Sequence, residues 1–435
     1  MEKITNKSVL VVGWEFPPRM VGGLAIATHG LVEAMSHYID VHLILPFADE
    51  NTPQIDNVTI YGLNQIEQNF TEEQMEVFSK MDFEIFNTHD VFSYPFFETE
   101  ETVEIKELIE RKTINTRKVL SSYLDVFKSE EVYGMSLWKK LSVFKELVAV
   151  IASDIDFDII HCHDWLTFES GKKLKAVYGK PLCLHVHALE TDRVGKDVRN
   201  DIYEIEYSSM TQADMVMPVS YYTKTQIIEH YNIPSNKITP IYNSIEPQDI
   251  AKWRHRIPQK IVTFLGRITQ QKGPYFLLET IAKVVEKYKN VRFVIAGSGD
   301  QFANLVDASA YKQLSRYFIF AGFLKRHEVN ALLATSDVYF MPSVSEPFGL
   351  TALEATRAGV PCVLTKQSGA AEVLSSALTA DYWDTDLFAN HIINLLKDNV
   401  LREQIAKESF NEMQKISWYH SAAVVVNEYL KIWKN

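Results

Sequence analysis

The chain has few cysteines, fewer basic than acidic residues and no long apolar run. Its three cysteines, Cys162, Cys183 and Cys362, lie in or beside apolar stretches, and none pairs with another at metal-ligand spacing. A disulfide framework and a cysteine metal site are therefore not expected; buried free thiols are. Lys and Arg number 44 against 56 Asp and Glu, a formal charge of −12, so nucleic acid is not expected as a partner. A phosphate-bearing ligand would have to be held by a few placed cations and backbone amides rather than by a basic surface. Apolar stretches such as Ser8–Val12 and Glu146–Ala152 fall far short of the roughly 20 residues of a bilayer crossing. Met1-Glu2-Lys3 leads toward a strand without a signal-like apolar region. A cytoplasmic protein with no stable membrane insertion is the expectation.

What is present is length and alternation. The 435 residues exceed one ordinary core, which predicts two domains of about 200 residues each with a crevice between them. Ser8–Val12 reads as a strand that stops at Gly13. After Gly22-Gly23, the residues Leu24, Ala27, Leu31 and Met35 recur at helical spacing, one apolar face of an amphipathic helix. Val41–Leu45, Asp158–His161, Leu182–Val186 and Met215–Val219 read as further strands separated by helix-compatible text, the pattern of buried parallel strands with helical crossovers. A second series opens at Ile261–Gly266 and continues through Val291–Ala296, Phe318–Ala321, Val338–Met341 and Val360–Leu364. The class is α/β, with two nucleotide-type halves. From about residue 64 to 149 the text turns Glu- and Lys-rich with interspersed aromatics, including Tyr94-Pro95-Phe96-Phe97, and reads as a helical insertion. Tyr242-Asn243-Ser244-Ile245-Glu246-Pro247 is the candidate linker, which divides the chain into 1–245, 246–415 and a C-terminal helix over 416–435.

Four motifs carry chemistry. Gly22-Gly23 stands between a strand and a helix, where missing β-carbons and the positive helix start favour an anion; an ordinary glycine turn is the alternative. His163-Asp164-Trp165 follows one strand and His185-Val186-His187 closes the next, at the strand ends where ligands sit in open α/β sheets. Zinc is a rival reading for His161, His163, Asp164, His185 and His187. Alternation groups each pair on one strand face without making the pairs converge, so no metal is expected. His161 and His185 read as core histidines, and His187, before the polar run Glu190-Thr191-Asp192-Arg193, as the one facing the crevice. Gly266-Arg267 through Lys272-Gly273 ends a strand with two cations five positions apart, placed to meet adjacent phosphates; a solvated surface pair is the alternative. Ser345-Glu346-Pro347-Phe348-Gly349-Leu350 through Glu354 offers one carboxylate in a loop, amides at a helix start and a second carboxylate one turn in. A glycosidase acid and nucleophile would also use two carboxylates, but hydrolysis gives no reason for Arg267 and Lys272.

Taken in order, Trp14-Glu15-Phe16-Pro17-Pro18, Val21-Gly22-Gly23-Leu24-Ala25, His163-Asp164-Trp165, His185-Val186-His187, Arg267-x4-Lys272-Gly273 and Glu346-x7-Glu354 resemble the retaining GT-B glycosyltransferases of the glycogen and starch synthase type. The resemblance covers nearly the whole chain. It implies two Rossmann-like domains facing a deep cleft: an N-terminal acceptor-side domain of the starch synthase catalytic type and a C-terminal nucleotide-sugar domain of the group 1 type, with the last helix crossing back to the first. It implies Arg267 and Lys272 on the donor diphosphate, Glu346 on the hydroxyls of the transferred sugar and Glu354 on the ribose, with His187 under the sugar. Gly22, Gly23 and Leu24 would close over the phosphates, and Phe348, Gly349 and Leu350 would line the donor site. Asp164, Glu190 and Arg193 are candidates for the acceptor side or for supporting contacts. No cofactor is implied beyond a nucleotide-sugar co-substrate, ADP-glucose or UDP-glucose, and the acceptor would be the non-reducing end of an α-1,4-glucan. A transferase of cell-surface polysaccharide or glycolipid synthesis, and a non-catalytic sugar-nucleotide or glucan-binding protein, remain as alternatives. The bacterial ADP-glucose enzymes carry a Lys-x-Gly-Gly-Leu-Ala-Asp loop, whereas this chain has Met20 and Ile26 at its two charged positions, with Arg19 beside the first.

Overall fold

A computed structural model describes residues 3–20, 22–68, 125–127, 132–134, 137–245 and 258–434. Most of the helical insertion read from residues 64–149, the Tyr94–Phe97 run included, lies outside the described residues, as do Val21 and positions 246–257, the end of the candidate linker included. The first sheet series runs β1 (Ser8–Val12), α1 (Gly23–Met35), β2 (Asp40–Leu45), β3 (Val58–Gly62), α2 (Leu137–Ile151), β4 (Ile159–His163), α3 (Trp165–Tyr178), β5 (Leu182–Val186), α4 (Glu190–Val194), α5 (Asp201–Gln212), β6 (Met215–Pro218) and α6 (Tyr221–Tyr231). The second runs β7 (Lys260–Leu265), α7 (Pro274–Lys287), β8 (Val291–Ala296), α8 (Phe302–Tyr311), β9 (Phe318–Gly322), α9 (Arg326–Thr335), β10 (Val338–Met341), α10 (Leu350–Arg357), β11 (Cys362–Thr365), α11 (Ala370–Val373), β12 (Leu378–Ala380), α12 (Thr385–Lys397), α13 (Asn399–Met413) and α14 (Trp418–Lys434).

Each series makes a six-stranded sheet, ordered β3-β2-β1-β4-β5-β6 and β12-β11-β10-β7-β8-β9. Numbered within its own half, each reads 3-2-1-4-5-6, the order of a dinucleotide-binding fold, and the strand pairs are parallel. Such a sheet has a switch point where the order reverses, with ligands outside the carboxyl ends of the two strands there. In the first sheet those strands are β1 and β4; in the second, β7 and β10. Burial on both faces explains the largely apolar strands. On β10, Val338 and Phe340 join the core with Phe264, Phe293 and Phe388, while Tyr339 and Met341 join the opposite one with Phe348, Leu353 and Cys362.

The chain separates into two compact units: Met1–Val186 with Ile205–Val216 and Val425–Asn435, and His187–Glu204 with Met217–Val424. Helix α14 thus contributes its second half to the first unit, where Tyr429 bonds His161. Several strand limits shift from the sequence reading: β4 runs on through His163 rather than ending at His161, and β11 starts at Cys362 rather than Val360. Strands β3 and β12 lie at the sheet edges, where half-polar text such as Val58-Thr59-Ile60-Tyr61 has no apolar run to signal it.

Candidate functional site

In the second sheet, the loop after β7 carries Arg267 and Lys272, and the loop after β10 carries Glu346, so the two loops flank the switch point. They are tied together. Val344 N donates to Gln271 O at 2.8 Å, and Gln271 Nε2 to Ser345 O at 3.1 Å. Glu346 is then pinned on its other side, its N–H bonding Gln367 O at 2.9 Å and its carbonyl accepting from Gly369 N at 3.1 Å. On this frame the Glu346 carboxylate, 6% exposed, takes the Lys272 ammonium at 2.5 Å and the Ser343 hydroxyl at 3.0 Å. Two of the residues read from sequence therefore touch, while the Arg267 guanidinium is exposed in the same loop.

The turn that delivers Lys272 depends on Gly273, at φ +69°. A β-carbon there would sit 2.3 Å from the carbonyl oxygen of Pro342, well inside contact distance, so only glycine lets the β7 and β10 loops approach this closely. Gly349, at φ +100°, turns the second loop into α10, which starts at Leu350 and carries Glu354. The side chain of Phe348 is buried in the core beside Tyr242, and that of Leu350 packs, partly buried, against the same cluster, so contact from Phe348 to a ligand would come from its backbone. Burial raises the pKa of Glu354, opposed by Arg357 and Arg326.

Helix α4 adds a group that the motif reading passed over. Asp192 caps its own helix by accepting from Leu189 N at 2.8 Å, and its other oxygen accepts from the Ser345 hydroxyl. Ser345 in turn lies 2.9 Å from the Tyr222 hydroxyl. Burial raises the Asp192 pKa, with Glu346 adding to the effect and Ser345, Leu189 N and Arg193 opposing it. The same burial pushes Tyr222 up to about 12. Asp192, Ser345 and Gln271 fall in segments named above from sequence and Tyr222 in none of them; only tertiary pairing separates these residues from ordinary capping, turn and helix positions. Glu190 is occupied by its neighbours, accepting from Arg193 at 3.0 Å and Asn200 at 2.8 Å. His187, just after β5, has its Nδ1 shielded from solvent, and burial lowers its pKa to about 3, so its ring is neutral at pH 7.

The first unit holds the remaining candidates. Gly22 caps α1, donating its N–H to Glu15 at 3.2 Å, and stands exposed with Gly23 beside a half-buried Leu24. Arg19 is turned to Asp49 at 3.4 Å and over the ring of Phe47. Asp164, after β4, is buried with φ +64°, a backbone setting that costs a non-glycine residue of order 1–3 kcal/mol. It belongs to a different unit from Glu190 and Arg193.

The expectation that the histidine pairs do not converge is corrected. The parallel register sets His163 opposite His185, and His161 Nε2 lies 3.2 Å from His185 Nδ1. The ligand atoms of His161, His163 and His185 lie within 4.8 Å of one another. Their rings are stacked, however, with the planes of His163 and His185 8° apart at 5.1 Å. Imidazole binds a metal in its own plane at about 2.0–2.1 Å, and rings stacked this way do not direct their lone pairs at one point. No described helix is long and apolar enough to cross a membrane.

Comparison with known proteins bears on this geometry. Residues 246–412 match the family of glycosyl transferases group 1, and residues 8–241 match the starch synthase catalytic domain. The chain is 28% identical to an uncharacterised glycosyltransferase of Methanocaldococcus jannaschii over 446 residues, 97% of each chain. It is 29% identical to the glycogen synthase of Mycobacterium tuberculosis over 231 residues, 51% of this chain and 55% of that one. The solved sucrose-phosphate synthase from Thermosynechococcus elongatus superposes with a TM-score of 0.69 at 16% identity, covering 98% of this chain and 99% of that one.

Proposed function

This chain belongs to the glycosyltransferases that join a starch synthase catalytic domain to a group 1 glycosyl transferase domain on the GT-B fold, and from that premise we propose that it is a retaining glucosyltransferase. It moves glucose from ADP- or UDP-glucose to the non-reducing end of an α-1,4-glucan. The observation that carries the reading is the contact between Lys272 and Glu346 at the second switch point: a cation and an acceptor, from two loops, already assembled where a sugar diphosphate would lie.

As the glycosidic bond to the diphosphate breaks, negative charge builds on the leaving oxygen and positive charge on the sugar ring. Lys272 and Arg267 act on the first, with the Gly349 and Leu350 amides beside them, and that stabilisation is worth most where the charge develops. Glu346 accepts hydrogen bonds from the sugar hydroxyls, and Glu354 from the ribose. Neutral His187 meets the sugar without opposing its positive charge. Gly22, Gly23 and Leu24 offer further backbone amides to the phosphates, and exclusion of water keeps the donor from hydrolysis. The acceptor hydroxyl attacks on the face the diphosphate leaves, which retains configuration.

A donor-by-acceptor screen tests this reading: nucleotide release is measured for ADP- and UDP-glucose with glycogen, malto-oligosaccharides, lipid acceptors and no acceptor. Release that rises with glycogen and malto-oligosaccharides alone is the expected result. Release that rises only with a non-glucan acceptor would instead indicate surface polysaccharide or glycolipid synthesis, and tight nucleotide binding without release under any condition would indicate a binding protein.

A further inference from the structure

Beside Glu346, the side chains of Asp192, Ser345 and Tyr222 form a hydrogen-bonded line. The Asp192 carboxylate accepts on both oxygens, from Leu189 N at 2.8 Å and from the Ser345 hydroxyl. Ser345 has one proton, so its remaining contact, with the Tyr222 hydroxyl at 2.9 Å, requires Tyr222 to donate. The phenol keeps that proton at pH 7, since burial pushes its pKa up to about 12, opposed by Ser345 and reinforced by the charges of Asp192 and Glu346. Direction is therefore fixed along the whole line. With its proton aimed at Ser345, the Tyr222 oxygen is left able only to accept.

Tyr222 is held in place because the start of α6 is tied down. The Tyr221 and Tyr222 N–H groups both donate to Glu372, at 2.9 Å and 2.5 Å. The Ser220 and Thr223 hydroxyls donate to the carbonyl of Pro347, at 2.6 Å and 3.3 Å. Pro347 follows Glu346 directly, so the first turn of α6 is bound to the loop that carries the Glu346 carboxylate. Access to solvent differs along the line. Asp192 and Ser345 are buried, whereas Tyr222 is only half-buried, and of the three it alone has surface to offer a ligand.

We propose that Tyr222 is a specificity-determining residue of the donor site, its oxygen accepting a hydrogen bond from one hydroxyl of the transferred sugar in addition to those taken by Glu346. The ligand class follows from the wiring. A carboxylate that cannot donate and a phenol whose proton is committed to Ser345 both favour groups that donate, as sugar hydroxyls do, and disfavour groups that only accept. A site built this way penalises the analogue lacking the hydroxyl, because the group facing it is left unpaired. Asp192 is a positioning residue that acts through Ser345 and sets the polarity of Tyr222. The inference rests on the glucosyl-donor part of the reading above and is independent of the acceptor.

The test is titration calorimetry on the full chain as wild type, Tyr222→Phe and Asp192→Asn, with ADP- and UDP-glucose and the deoxy and fluoro analogues of whichever donor binds, one sugar hydroxyl replaced at a time. Loss of a contacted hydroxyl should weaken wild-type binding by about threefold to tenfold. At one position that loss should shrink to within about twofold in Tyr222→Phe while losses at the other positions persist, the non-additivity that marks a direct contact. In Asp192→Asn the new amide donates to Ser345, Ser345 to Tyr222, and Tyr222 to the ligand. At the same position the fluoro analogue, no tighter than the deoxy one in wild type, should then become the tighter of the two. A tyrosine that only anchors α6 would weaken every analogue by the same factor; that result, or unchanged binding in Tyr222→Phe, overturns the proposal. Should Tyr222→Phe fail to fold by circular dichroism, the order of fluoro and deoxy analogues in Asp192→Asn decides, and no reversal there overturns it. Wild type that binds neither nucleotide-glucose overturns the donor reading and this inference together, whereas binding with strictly additive losses overturns this inference alone.

Discussion

Replacing Lys272 by alanine removes two things at once, and the two are separable. Glu346 is nearly buried, and its carboxylate has the Lys272 ammonium at 2.5 Å and the Ser343 hydroxyl at 3.0 Å. Without the ammonium, a buried charge keeps only one neutral donor; lost hydrogen bonds to charged groups cost about 1.5–3 kcal/mol. For a domain of this size that corresponds to a fall in Tm of about 3–12 °C. Transfer should also fall, by about 100-fold or more, the 2.7–4 kcal/mol range typical of one donor aimed at developing charge. The double variant Lys272→Ala/Glu346→Gln distinguishes the effects. Glutamine removes the orphaned charge and can donate to Ser343, so most of the lost Tm should return, while transfer stays at least as low as in Lys272→Ala. Thermal denaturation and nucleotide release on the four proteins of this cycle make the measurement. Near-normal turnover in Lys272→Ala would refute the placement of the lysine at the diphosphate. A double variant no more stable than Lys272→Ala would refute the assignment of the stability loss to Glu346.

Three further outcomes follow from the same geometry. His187 is held well below its unfolded value by burial, so as pH falls through about 6.5 the unfolded chain takes up a proton that the folded one refuses until about pH 3; at pH 5 this costs about 2 kcal/mol. Denaturant titration should therefore show the stability gap between pH 7 and pH 5 narrowing by about that amount in His187→Gln, and an unchanged gap would mean the ring is not held neutral. Gly273→Ala, forced into φ +69° against the Pro342 carbonyl, should lower Tm by about 6–12 °C or more, in line with strain of about 3 kcal/mol or more. Gly22→Ala, with nothing within 4 Å of its β-carbon, should leave Tm unchanged; comparable losses in both would contradict the packing described. Ser345→Ala deprives buried Asp192 and half-buried Tyr222 of their shared partner and should cost about 1–3 kcal/mol in urea denaturation, a loss that Asp192→Asn/Ser345→Ala partly recovers.

The sequence made the sheets legible because both faces of each are covered: strands such as Leu182–Val186 and Val291–Ala296 are apolar except for His185 and Arg292, and their limits were read without error. Of the four edge strands, β6 and β9 keep apolar runs and were read, whereas β3 and β12 escaped because Val58–Gly62 is half-polar and Leu378–Ala380 very short. Lys272 and Glu346 were nameable from motif spacing, but their contact was not, since it depends on Gly273 allowing two loops to meet across a separation of 74 residues. The histidine stack was invisible for a related reason. Periodicity within a strand says which residues share a face, and only the register between β4 and β5 decides that His163 meets His185.

The central claim is that one switch point assembles cations and a carboxylate around a glucosyl diphosphate, and its most direct test is transfer itself. Purified protein is given nucleotide diphosphate-glucose labelled with 13C at the anomeric carbon, together with maltoheptaose, and the one-bond carbon–proton coupling of the product is read by NMR in wild type, Arg267→Ala and Lys272→Ala. The account predicts labelled α-1,4-linked glucose at the non-reducing end in wild type, reduced by about 100-fold or more in each variant. A β-linked product, or variants that extend the chain as fast as wild type, would contradict it.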